Sequence, residues 1–179
     1  MLSKQELLYR DTMRVSLKFE LQESAIHEIA MVFPIGSGKL FTVTKEIYQS
    51  HGLEIEASAE YGGNAQGDAA SHGANAIIPV FNQFQFVREP SFFMISSPGT
   101  FNTRPLNTES VAVVVLGERQ NGTPQSFVAP IRETNYLIGP ATFPENSTLY
   151  MRFENLDGGD GWVYANFEVE ETPANYPRP

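Results

Sequence analysis

The densest chemistry in the chain lies at Asn155 to Trp162, NLDGGDGW, where one amide, two carboxylates and three glycines share a single short stretch. Calcium takes several oxygen ligands, and Asn155, Asp157 and Asp160 offer three, with the glycines letting backbone carbonyls approach. An EF-type loop also needs a bidentate acid further on, and no acid follows Trp162 before Glu168. Asp-Gly between alternating apolar segments is a hairpin signal. Leu149, Met151 and Phe153 before the loop, and Val163, Ala165, Phe167 and Val169 after it, supply that alternation. The expectation is a turn between two paired strands, with calcium at Asn155, Asp157 and Asp160 as the lesser alternative.

Such a hairpin gathers its outward side chains on one face. With Glu154 opposite Trp162, Arg152 falls opposite Tyr164 and Tyr150 opposite Asn166. Tyr150, Arg152, Trp162 and Tyr164 then form an interaction surface, where exposed rings beside an arginine stack a sugar or anchor a partner chain. The alternative is that the protein's own loops cover these rings as a second layer.

Other chemistry is thinner. GSGK at Gly36 to Lys39 fails as a phosphate loop, because Phe33 stands where the first glycine belongs and Leu40 where Ser or Thr belongs; it reads as a turn. His27, His51 and His72 are dispersed without metal-ligand spacing, and His27, inside an apolar run, reads as structural. Asp68 and His72 share a glycine-rich loop, a poor platform for acid–base catalysis, which needs held geometry. Glu54, Glu56 and Glu60 alternate as the solvated side of a strand, not as a glycosidase acid pair. With no Gly-x-Ser-x-Gly elbow and no cysteine, the residues support no catalytic assignment, so the chain is read as a non-enzyme without cofactor. The sequons at Asn121 and Asn146 read as turns.

The elements that must position these groups are strands. Met13, Val15, Leu17, Phe19 and Leu21 alternate with Arg14, Ser16, Lys18 and Glu20, the mark of a half-buried strand. Further runs at Ile26–Phe33, Leu40–Thr44, Leu53–Tyr61, Ile77–Val87, Phe92–Ser96, Val111–Leu116, Ser126–Ile131, Leu149–Glu154 and Trp162–Val169 are separated by Gly, Pro, Asn and Ser. This pattern predicts an all-β, single-domain antiparallel sandwich or barrel. Residues 1–10 read as a short N-terminal arm, 11–171 as the core and 172–179 as an extended C-terminal tail. The tail segment, Glu171 to Pro179, is too proline-rich for a central strand. VAVVVL at Val111 to Leu116 has no polar face, so it is expected to be central and covered on both sides, or to lie in an interface.

Composition narrows the partners. A net charge of −9 argues against direct nucleic-acid contact, which draws on clustered Lys and Arg. Charged residues make up only 18% of the chain, against about a quarter in an average soluble protein, which suits a surface that packs against others. No apolar run has the length of a signal peptide core or a transmembrane helix, so synthesis in the cytosol is the default expectation.

A cysteine-free sandwich with an arm, a Pro-containing tail, few charges and many aromatic residues resembles the single jelly-roll coat proteins of icosahedral viruses and phages. The resemblance implies a virion subunit that associates with copies of itself and with other coat proteins, without catalytic residues. It departs from coat proteins with a basic arm, since residues 1–10 carry only Lys4 and Arg10. The inner side of such a shell would meet a lipid layer or another protein. The second expectation, from a different class, is a carbohydrate-binding, lectin-like sandwich using the aromatic surface.

Overall fold

The computed structural model describes residues 11–51, 54–63, 77–82, 89–99, 101, 109–116, 141–156 and 158–175. Among the described residues the alternating segments become eleven strands: β1 Asp11–Leu21, β2 Ile26–Phe33, β3 Lys39–His51, β4 Ile55–Gly63, β5 Ile77–Ile78, β6 Phe81–Asn82, β7 Phe93–Pro98, β8 Glu109–Leu116, β9 Ala141–Pro144, β10 Ser147–Asn155 and β11 Gly161–Pro173. They form two antiparallel sheets, one of five strands in the order β6-β1-β11-β3-β9 and one of six in the order β5-β7-β2-β10-β4-β8.

The protein is an all-β sandwich. Successive strands β1, β2, β3 and β4 alternate between the sheets, and β9, β10 and β11 alternate in the same way. Four-strand blocks β1-β11-β3-β9 and β2-β10-β4-β8 therefore face one another in jelly-roll order, with β5, β6 and β7 added at the outside.

The period of two explains why both sheets close on one core. From β1, Met13, Val15, Phe19 and Leu21 are buried while Arg14, Ser16, Lys18 and Glu20 are exposed. From β4, Ile55, Ala57 and Ala59 are fully buried, and from β11 Val163, Ala165, Phe167 and Val169 point the same way. Aromatic rings fill the centre. Phe33 lies 4.7 Å from Phe41 and 5.5 Å from Phe143, and Tyr48 lies 5.6 Å from both Phe153 and Phe167. Ring pairs of this kind add about 0.5–1.5 kcal/mol each beyond their area of burial.

Buried charge is satisfied inside the same frame. The Lys39 ammonium makes an ion pair with the fully buried Glu171 carboxylate and donates to Ser91 Oγ at 2.5 Å, while the Ser91 amide donates to Glu171 Oε1 at 2.6 Å. Tyr48 donates to Glu46 Oε2 at 2.6 Å; burial first, then the Glu46 charge and that hydrogen bond, hold the phenol well above its usual pKa. The GSGK segment is a turn between β2 and β3, with Gly36 and Gly38 at φ of 81° and 63°, values an L side chain rarely takes.

Four expectations change. β10 and β11 are not a hairpin: β10 pairs with β2 and β4, and β11 with β1 and β3, so NLDGGDGW carries the chain from one sheet to the other. Ile77–Val87 is not one strand, because Pro79 separates β5 in the six-stranded sheet from β6 in the five-stranded one. The run at Val111–Leu116 lies in β8, which is the outermost strand of its sheet among the described residues, not a central one. Finally, β11 extends through Pro173, opposite Lys39, so Glu171 to Pro173 finish a central strand before any tail begins. Pro173 is tolerated there because it closes the strand. The arm at 1–10, the run at Ser126–Ile131 and residues 176–179 lie outside the described residues.

Candidate recognition surface

Once β11 lies between β1 and β3, the register sets four rows of outward side chains across the sheet. Glu20 and Trp162 share the first row, Lys18, Tyr164 and Gln49 the second, Ser16, Asn166 and Ile47 the third, and Arg14, Glu168 and Lys45 the fourth. A bulge between Glu168 and Val169 restores the inward phase beyond the fourth row.

Trp162 is 39% exposed, and Lys18 Nζ sits 3.9 Å from its ring centroid and 5.2 Å from that of Tyr164. The ammonium therefore rests on two negative ring faces, an arrangement worth about 0.5–1 kcal/mol at an exposed site. In the fourth row Arg14 Nη2 donates to Glu168 Oε1 at 2.6 Å, with side-chain exposures of 52% and 22%. Ser16 and Asn166 are short, so the third row is a trough between two taller rows. Its cavity, about 220 Å³, is bordered by Arg14, Ser16, Lys45, Ile47, Asn166 and Glu168. The side chains of Ser16, Lys45 and Asn166 make no hydrogen bond or ion pair among the described residues. Phe81, 66% exposed, flanks Arg14 on β6.

The four residues expected to form one surface are divided between the two sheets. Trp162 and Tyr164 stand together on the five-stranded sheet, where Lys18 joins them. Tyr150 and Arg152 belong to the six-stranded sheet. Tyr150 is fully buried, packed with Ala30, Val32, Ile95 and Phe101 on that sheet's outer side, its ring 6.0 Å from Phe101. Arg152 is half-buried and donates to Glu154 Oε2 at 2.8 Å. The second-layer alternative thus holds for Tyr150.

Asn155 spends its amide on the fold. Its Nδ2 donates to the carbonyls of Gln22 at 2.9 Å and Gly159 at 2.8 Å, with Leu21 at 3.4 Å. Asp160 Oδ1 accepts from the Glu23 amide at 3.0 Å. These contacts fasten the crossover to the β1–β2 turn. Asp157 lies outside the described residues, and among those described no three His, Asp or Glu side chains group to hold a metal ion.

His27 is buried, stacked on Phe19 with ring centroids 4.1 Å apart, and its Nε2 lies 2.6 Å from Ser96 Oγ. Burial lowers its pKa from 6.5 to about 4, so the neutral imidazole packs as part of the core. His72 and Asp68 lie outside the described residues. Glu54, Glu56 and Glu60 are half-exposed on β4 or at its start.

Sequence reading missed the trough. Arg14, Ser16 and Lys18 were legible as the outward set of β1, and Asn166 and Glu168 as that of β11, but the signal that joins them is pairing between β1 and β11. Those strands are more than a hundred residues apart, and local periodicity does not report such a partner.

Among the described residues no helix is long and apolar enough to cross a membrane. No protein-family model matches the chain, and no curated protein matches it.

Proposed function

We propose that the protein is a structural subunit, a virion coat protein, that associates with copies of itself edge to edge. The observation that carries this reading is the position of β8. An outermost strand presents unpaired N–H and C=O groups along one side, and proteins that remain single blunt such edges with charge, proline or a bulge. Here an eight-residue strand reads ESVAVVVL; its start carries Glu109 and a bulge opposite Ala59 and Glu60, but Val111 to Leu116 runs without charge or proline, and nothing among the described residues pairs with its free side. Addition of a second copy along β8 would extend the six-stranded sheet across two subunits and satisfy those groups. The jelly-roll order supports the same reading, because it makes a self-contained block whose edges and faces are free for contact. With a net charge of −9, the shell's inner side meets lipid or another protein rather than bare nucleic acid.

Charging the edge tests this reading. In Val113→Lys/Val115→Lys the association is lost while the fold remains. Electron micrographs of the unmodified protein should contain regular assemblies and those of the variant dispersed subunits, with matching circular-dichroism spectra. Assemblies that persist in the variant would place the contact elsewhere.

The second reading is a carbohydrate-binding module, and the exposed Trp162 beside Tyr164 favours it. As a flat stacking platform the pair is weakened by Lys18, which already lies over both rings. On this reading sugar binding is abolished by Trp162→Ala.

A further inference from the structure

We propose that the trough across β1, β11 and β3 binds a saccharide ending in a carboxylate-bearing sugar, such as a sialic or uronic acid. The inference takes its ligand class from the carbohydrate reading but moves the site from the Trp162 ring to the third row. It is independent of edge-to-edge association.

The argument starts from charge. The chain carries −9 overall, yet Arg14 and Lys45 border the trough and Lys18 stands in the next row, against one carboxylate, Glu168. Glu20 and Glu170 stand further out towards the two ends of the face. A cationic pocket on an acidic protein selects an anionic ligand. Arg14 spends one donor on Glu168, and a guanidinium has five. Lys45 spends none among the described residues.

Polar groups then select the remainder of the ligand. The Asn166 amide, half-buried at the centre of the sheet, the Ser16 hydroxyl and the second oxygen of Glu168 supply both donors and acceptors. A bare phosphate or an extended nucleic-acid backbone would satisfy the cations and meet Glu168 with repulsion. A sugar ring satisfies both sets, its carboxylate toward Arg14 and Lys45, its hydroxyls toward Asn166, Ser16 and Glu168. Ile47, beside Asn166 on β3, gives the ring an apolar wall. The volume of about 220 Å³ is below the roughly 300 Å³ at which pockets for drug-sized ligands begin, which suits one terminal residue of a glycan.

The test is calorimetric titration of the full chain with sialyllactose, a glucuronate-terminated disaccharide, lactose and acetate. At least one acidic sugar is expected to bind about tenfold more tightly than lactose or acetate, and more weakly as salt is raised. Asn166→Ala and Lys45→Ala should each weaken it about tenfold, and Trp162→Ala by less than about twofold. Asn166→Asp keeps the shape and adds a negative charge; it should abolish acidic-sugar binding with the melting temperature unchanged. Equal affinity for lactose, equal affinity for acetate, failure of every sugar to bind, or binding indifferent to Asn166 and Lys45 would each overturn the proposal. Neutral-sugar binding that depends on Trp162 alone would overturn it and leave the platform reading standing.

Discussion

His27 illustrates how one side chain sets a pH limit on the whole sandwich. Stacked on Phe19 and bonded to Ser96, it is accommodated only as the neutral ring, with a pKa of about 4 against 6.5 in the unfolded chain. Between those values the unfolded chain binds a proton that the folded one refuses, so the contribution is complete above pH 6.5 and is lost as pH falls towards 4. The full difference is roughly 3 kcal/mol. Urea unfolding at neutral and mildly acidic pH should therefore give a smaller acid-induced loss in His27→Phe than in the unmodified protein. An identical loss in both would assign the acid sensitivity to other groups. The structural role of His27 was legible because the surrounding run, IHEIAMVF, is apolar. The roles of Ser16, Lys45 and Asn166 were not, since each is an ordinary polar residue until three strands bring them into one row.

At the scale of elements, the Lys39–Glu171 pair joins the start of β3 to the end of β11 and, through Ser91, to the segment leading into β7. Removing one partner leaves the other as an uncompensated buried charge, which costs about 3–5 kcal/mol. Lys39→Met should lower stability by that amount, and Lys39→Met/Glu171→Leu should recover most of it, as read from denaturant midpoints. If the double variant is as unstable as the single one, the stabilisation resides in the Ser91 contact and not in charge balance. The sequence hid this pair by placing a lysine inside what reads as a turn and a glutamate inside what reads as a tail.

The mistaken β10–β11 hairpin has an equally local cause. Two strands facing the same core show the same inward alternation whether they are neighbours in one sheet or stand in opposite sheets, and a Gly- and Asp-rich loop serves either connection. What separates the cases is the length of the loop and where its polar groups are anchored. Here Asn155 and Asp160 are tied to the β1–β2 turn. The interruption at Lys45 and Glu46, which cut the expected β3 short at Thr44, is the bulge together with a glutamate buried under Tyr48.

For the molecule as a whole, the sandwich class followed from periodicity, because a period of two with apolar inward sets commits each strand to one covered face. Strand order did not follow. The apolar run of β8 implied covered faces and so a central place, but hydrophobic pattern reports faces and says nothing about edges. That distinction now carries the functional reading, since the uncharged run Val111 to Leu116, outermost among the described residues, is an edge that a self-associating subunit would keep open. The most direct measurement is the native mass of the purified protein by light scattering across a range of concentrations. The account predicts a mass many times that of the 179-residue chain, falling to that of one chain in Val113→Lys/Val115→Lys. A single-chain mass for the unmodified protein at every concentration would contradict it.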